Sequence, residues 1–77
     1  SKNSKILSGT IVMHGAIVNS GCEIGLNCII NSRSLIEHGC KIGNNVHIST
    51  GAVVNGDVNV GSNTFLGLGR ILVGHRL

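Results

Sequence analysis

Branched aliphatic residues recur at every sixth position without a miss: Ile6, Val12, Val18, Ile24, Ile30, Ile36, Ile42, Ile48, Val54, Val60, Leu66 and Leu72. This register predicts an all-β hexapeptide β-helix, in which each repeat sends one bulky side chain into a narrow central core. A second register runs two positions earlier, through Ser4, Thr10, Ala16, Cys22, Cys28, Ser34, Cys40, Val46, Ala52, Val58, Thr64 and Arg70, and nearly all of these are small. They suit a tight inward corner beside each bulky residue. Between the two inward slots lies one outward side chain, as the period-two alternation of a short strand requires. Gly9, Gly15, Gly21, Gly39, Gly51 and Gly69 share a third phase, with Asn27, Asn45, Asp57 and Asn63 in the same place. Gly and Asn tolerate positive φ, so this phase predicts the bend.

Composition adds limits. The 77 residues leave room for one small core, so residues 1–77 are expected to form a single domain stabilised mainly by stacking and association. Twelve Gly and no Pro suit repeated turns, and the single aromatic, Phe65, excludes an ordinary core built on rings. No apolar run approaches the ~20 residues that span a bilayer, and no signal-peptide pattern is visible. A cytoplasmic protein with no membrane partner is expected. The net charge of +3 is spread out, with Lys2 and Lys5 near one end and Arg70 and Arg76 near the other. Nucleic-acid binding would want a basic stripe with stacking aromatics, so that class is disfavoured. The charge supports a weak preference for anionic small molecules.

From about Gly9 to Gly69 the pattern resembles that of the hexapeptide-repeat proteins. The resemblance implies three hexapeptides per triangular coil, hence about four coils of 18 residues. It also implies a left-handed parallel β-helix, although general crossover rules favour the opposite hand. Sorted on that period, the outward residues form three faces. One reads Lys5, Glu23, Lys41, Asn59; the second Ile11, Ile29, His47, Phe65; the third Ile17, Leu35, Val53, Ile71. Burying a large aliphatic is worth ~1.5–3 kcal/mol, so two apolar faces on so small a prism call for a partner. The proteins it resembles trimerise, and a homotrimer is expected. Cys22 and Cys40, one coil apart, should stack ~4.8 Å apart. Parallel Cβ vectors leave their sulfurs poorly placed for a bridge, so all three cysteines are read as packed, reduced thiols.

The segment Asn31-Ser32-Arg33-Ser34-Leu35-Ile36-Glu37-His38-Gly39-Cys40-Lys41-Ile42-Gly43 resembles the active-site coil of a family of sugar acyltransferases, the sialic-acid O-acetyltransferases and bacillosamine N-acetyltransferases. Asn44-Asn45-Val46-His47-Ile48-Ser49-Thr50-Gly51-Ala52 is similar to that family's second His-bearing coil. The resemblance implies transfer of an acetyl group from acetyl-CoA to an amine or hydroxyl of a sugar, often a nucleotide-linked one, with no metal. Its catalytic pair here would be His38, the general base, and Glu37, placed to hydrogen-bond an acceptor hydroxyl. A histidine suits the task because the acceptor must lose a proton as it attacks the thioester. His47 would donate to the thioester carbonyl or contact the pantetheine arm. Gly51, Ala52 and Gly69 would let backbone amides approach the cofactor. Asn31, which opens the coil, would contact substrate. His14 and His75 are read as surface residues.

The chain departs from the family in two respects. An acidic residue commonly follows the catalytic His, but here that position is Gly39, and Gly39→Asp is therefore expected to raise activity if the turn tolerates a side chain. No Rossmann-like sugar-binding segment precedes the repeats, the chain stops within a coil, and Arg70 and Arg76 enter inward slots. A fragment or truncated form of a longer protein is expected. The alternatives are an inactive trimeric scaffold or degenerate homologue and, less well matched, a γ-carbonic-anhydrase-like zinc enzyme. The latter holds zinc with three His, two of them five residues apart on one coil, and five residues before His38 stands Arg33. No face repeats the Thr pairs of an ice-binding solenoid. Binding of acetyl-CoA separates enzyme from scaffold.

Overall fold

The computed structural model describes residues 3–73. Because the chain turns every six residues, each strand is two residues long: β1 Lys5–Ile6, β2 Ile11–Val12, β3 Ile17–Val18, β4 Glu23–Ile24, β5 Ile29–Ile30, β6 Leu35–Ile36, β7 Lys41–Ile42, β8 His47–Ile48, β9 Val53–Val54, β10 Asn59–Val60, β11 Phe65–Leu66 and β12 Ile71–Leu72. Pairing is parallel throughout and joins each residue to the one 18 positions on, as in Lys5↔Glu23, Ile29↔His47 and Leu35↔Val53. The sheets run β1-β4-β7-β10, β2-β5-β8-β11 and β3-β6-β9-β12. The chain is thus an all-β, three-sided parallel solenoid of four coils, consistent with the expected left-handed β-helix. No helix among the described residues is long and apolar enough to cross a membrane.

Both inward registers form the core. Ile24, Ile30, Ile36, Ile48 and Val54 are fully buried, and so are Cys22, Cys28, Ser34, Cys40, Val46, Ala52 and Val58. The small slot does more than fill space. Cys22 Sγ donates to the Glu37 carbonyl (2.9 Å), Cys28 Sγ to Gly43 (3.1 Å) and Cys40 Sγ to Asn55 (3.0 Å). Thr10 Oγ1 donates in the same way to Gly25. Each satisfies a turn carbonyl in the following coil that would otherwise be left without a partner. The cysteines are unbridged, and burial pushes the Cys40 thiol up from its ordinary pKa. Arg70 breaks the pattern: its period places it in the inward slot, but it is exposed. Lys2, His75 and Arg76 lie outside the described residues.

Every sixth residue from Asn3 to Gly69 has positive φ. Two residues in this phase, Asn3 and Arg33, were not anticipated. At some of these bends the next residue's amide closes onto the carbonyl three positions back, as in Ser34 N to Asn31 O (3.2 Å) and Ala52 N to Ser49 O (3.1 Å). Positive φ at the third residue of such a turn is the type II pattern. Arg33 at φ 57 is the one bulky side chain in this phase, at a cost of ~1 kcal/mol or more. The three predicted faces are the three sheets, and Ile11, Ile17, Phe65 and Ile71 are more than half exposed on the two apolar ones.

Candidate active site

The prism has three edges. Corner I, after the charged face, carries residues 8–9, 26–27, 44–45 and 62–63; corner II carries 14–15, 32–33, 50–51 and 68–69; corner III carries 20–21, 38–39 and 56–57. The candidate residues divide between corner III on one side, and face two with corner II on the other.

At corner III, His38 is exposed, and its ring lies against Gly56 in the next coil. A methyl at Gly56 would sit 3.3 Å from Cε1 and 3.4 Å from Nε2. Gly56 does not have positive φ, so its backbone does not require glycine. It is also the only glycine at this turn position among the described residues. The imidazole fills the space that the missing side chain leaves. Asp57 makes the opposite contact: its carboxylate leans over Gly39, so that Oδ1 occupies the place of a Cβ there. The steps His38-Gly39 and Gly56-Asp57 therefore cross, each side chain covering the other step's glycine.

This arrangement bears on two expectations. Where the sequence lacks an acidic group after His38, the next coil brings Asp57, whose amide donates to the His38 carbonyl (3.0 Å) and whose carboxylate lies over Gly39 without an ion pair to the ring. A side chain at position 39 would collide with that carboxylate and would have to adopt φ +73, so Gly39→Asp is not a gain. The sequence does hold the signal, since Asp57 stands 18 residues after Gly39, but only the register makes it readable. Glu37 is half-buried and accepts a hydrogen bond from Asn19 Nδ2 in the preceding coil (3.1 Å). Its carboxylate serves that contact, and no hydrogen bond joins it to the His38 ring.

On face two, His47 is half-buried, with the Phe65 ring edge-on at 5.0 Å and 87°. Asn31 Oδ1 accepts from the Ser32 amide (2.7 Å), which turns Nδ2 toward His47 Nε2 at 3.4 Å. An amide nitrogen can only donate, so Nε2 accepts and the ring proton is assigned to Nδ1. Asn31 is thereby joined to His47 rather than to His38. Gly51 and Gly69 stack at corner II and leave a bare strip, with nothing within 4 Å of a Cβ at either.

The backbone amides expected to approach a cofactor already have partners within the solenoid. Gly51 N donates to Ser32 O (3.0 Å), Gly69 N to Thr50 O (3.1 Å) and Ala52 N to Ser49 O (3.1 Å). None of the three is a vacant donor. Ala52 is fully buried in the core, so its side chain meets no ligand. His14 is exposed, as expected. His38 and His47 lie on opposite sides of the prism, because nine residues are half of an 18-residue coil.

A shallow groove runs along the charged face, lined by Glu23, Lys41, Asn59, Gly43, Gly61 and Ser62. None of the sequence-predicted site residues lines it. Among the described residues, no group of three His, Cys, Asp or Glu is placed to hold a metal ion. No family model matches this chain, and no curated protein is significantly similar to it.

Proposed function

We propose that the chain is the β-helix of an acetyltransferase that moves an acetyl group from acetyl-CoA to an amine or hydroxyl of a sugar, working in the cytoplasm as a homotrimer. The observation that carries this reading is the His38 ring, seated on Gly56 beside Asp57 and held by no hydrogen bond of its own. An exposed imidazole in a formed seat is what general-base chemistry needs. In the reaction, a ring nitrogen takes the acceptor's proton as its N or O attacks the thioester carbonyl. The C–S bond then breaks, and the proton passes to the CoA sulfur.

His47 supports the reading from the other side of the prism. With Nε2 accepting from Asn31, its Nδ1 proton is the donor available to a thioester carbonyl. Because half a coil separates it from His38, a shared substrate requires a second copy, and the exposed apolar side chains of faces two and three suit such packing. The bare strip at Gly51 and Gly69 supports close approach of an extended arm such as pantetheine. Three unbridged thiols are in keeping with a reducing compartment.

A scaffold without catalysis is the second reading. Asn31, Glu37 and the Gly51, Ala52 and Gly69 amides all make bonds within the solenoid, which favours it. Release of free CoA from acetyl-CoA and candidate sugars decides between the two. With the intact protein, His38→Ala should lose ~10²–10⁴ in turnover while still binding acetyl-CoA. Unchanged turnover refutes the assignment of His38, and no turnover in either protein favours the scaffold.

A further inference from the structure

We propose that Asp57 is a positioning residue for His38, holding the imidazole in one orientation and one tautomer from the neighbouring coil; this rests on the acetyl-transfer reading above. The crossed packing carries the inference. The Asp57 carboxylate lies over Gly39, against the backbone from which the His38 side chain springs, and Cε1 and Nε2 of that ring lie out on Gly56. The ring nitrogen nearer its own backbone is Nδ1. Of the two ring nitrogens, Nδ1 is therefore the one we assign to the carboxylate, which leaves Nε2, the outer nitrogen, to take a proton.

Leaning over the preceding coil is not itself a sign of function. Asn27 leans over Gly9 in the same way, because the left-handed position directs its side chain there. The difference lies in the neighbours. Beside Gly9 stands Ser8 and above it Leu26, whereas beside Gly39 stands an imidazole and above it a glycine that makes room for the ring. No hydrogen bond or ion pair occupies either the Asp57 carboxylate or the His38 ring, so both are open to each other through a bridging water or a turn of the ring.

The carboxylate accepts the Nδ1 proton, Nε2 takes the proton of the attacking amine or hydroxyl, and the imidazolium formed is stabilised by the adjacent negative charge. When the C–S bond breaks, the Nε2 proton goes to sulfur. The imidazole returns to its starting tautomer, and no electron is gained or lost.

Asp57→Asn tests this cleanly, because asparagine already occupies the same backbone conformation at Asn27, Asn45 and Asn63 and the fold should survive. The ring-nitrogen shifts of His38 in ¹⁵N-labelled intact protein report its tautomer whether or not the protein turns over. The expected result is a population concentrated in the Nδ1–H form in the parent and mixed in the variant. Turnover should fall about 10–100-fold, less than the ~10⁴ of a buried triad carboxylate, with acetyl-CoA affinity unchanged. An unaltered tautomer population overturns the proposal, and so does an altered one with unchanged turnover. A tautomer shift in a protein that never releases CoA upholds the coupling and overturns the acetyl-transfer reading beneath it.

Discussion

Corners I and III share one backbone design and use their polar side chains in opposite ways. At corner I, Asn44 Oδ1 accepts from the Leu26 amide (2.8 Å) and Ser62 Oγ from the Asn44 amide (2.9 Å), a ladder one coil per step. The space for it comes from Gly25 and Gly43, where a Cβ would collide with Asn44 Oδ1 and Ser62 Oγ respectively. At corner III, His38 occupies the same turn position as Asn44, but its ring bonds to no backbone and rests on Gly56. Glycine makes room in both places. At corner I the room is filled by a group that completes the backbone, and at corner III by one left available to a ligand. In a repeat protein, where each position has many counterparts, the polar side chain that rests on a glycine and serves no backbone group is the one proposed as functional.

Substitutions at the two corners should separate sharply. The largest effect belongs to His38→Ala, with its ~10²–10⁴ loss of turnover and a melting temperature close to that of the parent, since an exposed ring contributes little burial. A large drop in melting temperature would instead make His38 a structural residue like Asn44. Gly56→Ala comes next: its methyl presses on Cε1 and Nε2, and displacing a reacting group by a fraction of an ångström should lower turnover about tenfold. Stability should hardly change, because position 56 does not need positive φ. If activity is unaltered, the seat does not matter.

Gly39→Asp should destabilise by ~1–2 kcal/mol in urea denaturation, through the left-handed φ and the collision with Asp57. A gain in activity would restore the expectation drawn from sequence. The smallest effect falls at corner I. Asn44→Ala should cost ~0.5–1 kcal/mol, because water can replace the lost acceptor at an exposed edge, and turnover should match the parent. A loss of turnover there would dissolve the distinction between the corners.

Much of the fold was legible because its constraints are local and repeat. The inward aliphatics set the strand phase, the small slot set the second inward register, and Gly, Asn and Asp marked the bends. Arg33 was missed because its side chain gives no sign of a left-handed backbone, which the rest of the coil imposes on it. Arg70 holds the inward phase and yet is exposed, which the period alone does not register. Of the candidate site, the sequence showed His38 at a turn beside Gly39, but not its seat on Gly56 or the place of Asp57. Glu37 looked like the nearest carboxylate along the chain, but its hydrogen bond goes to Asn19.

By itself, the sequence determined the repeat, the three faces and the inward slots, since each follows from residue type at a fixed spacing. Tertiary structure alone decided which side chains meet across coils: Glu37 with Asn19, Asn31 with His47, and His38 over Gly56 beside Asp57. Such contacts join residues 16 or 18 positions apart, and for His38 it is the glycine in the next coil that receives the ring. The physical reason is steric. In a solenoid with one strand spacing between coils, a corner side chain settles where the next layer leaves space, and that space exists only once the layers are in register.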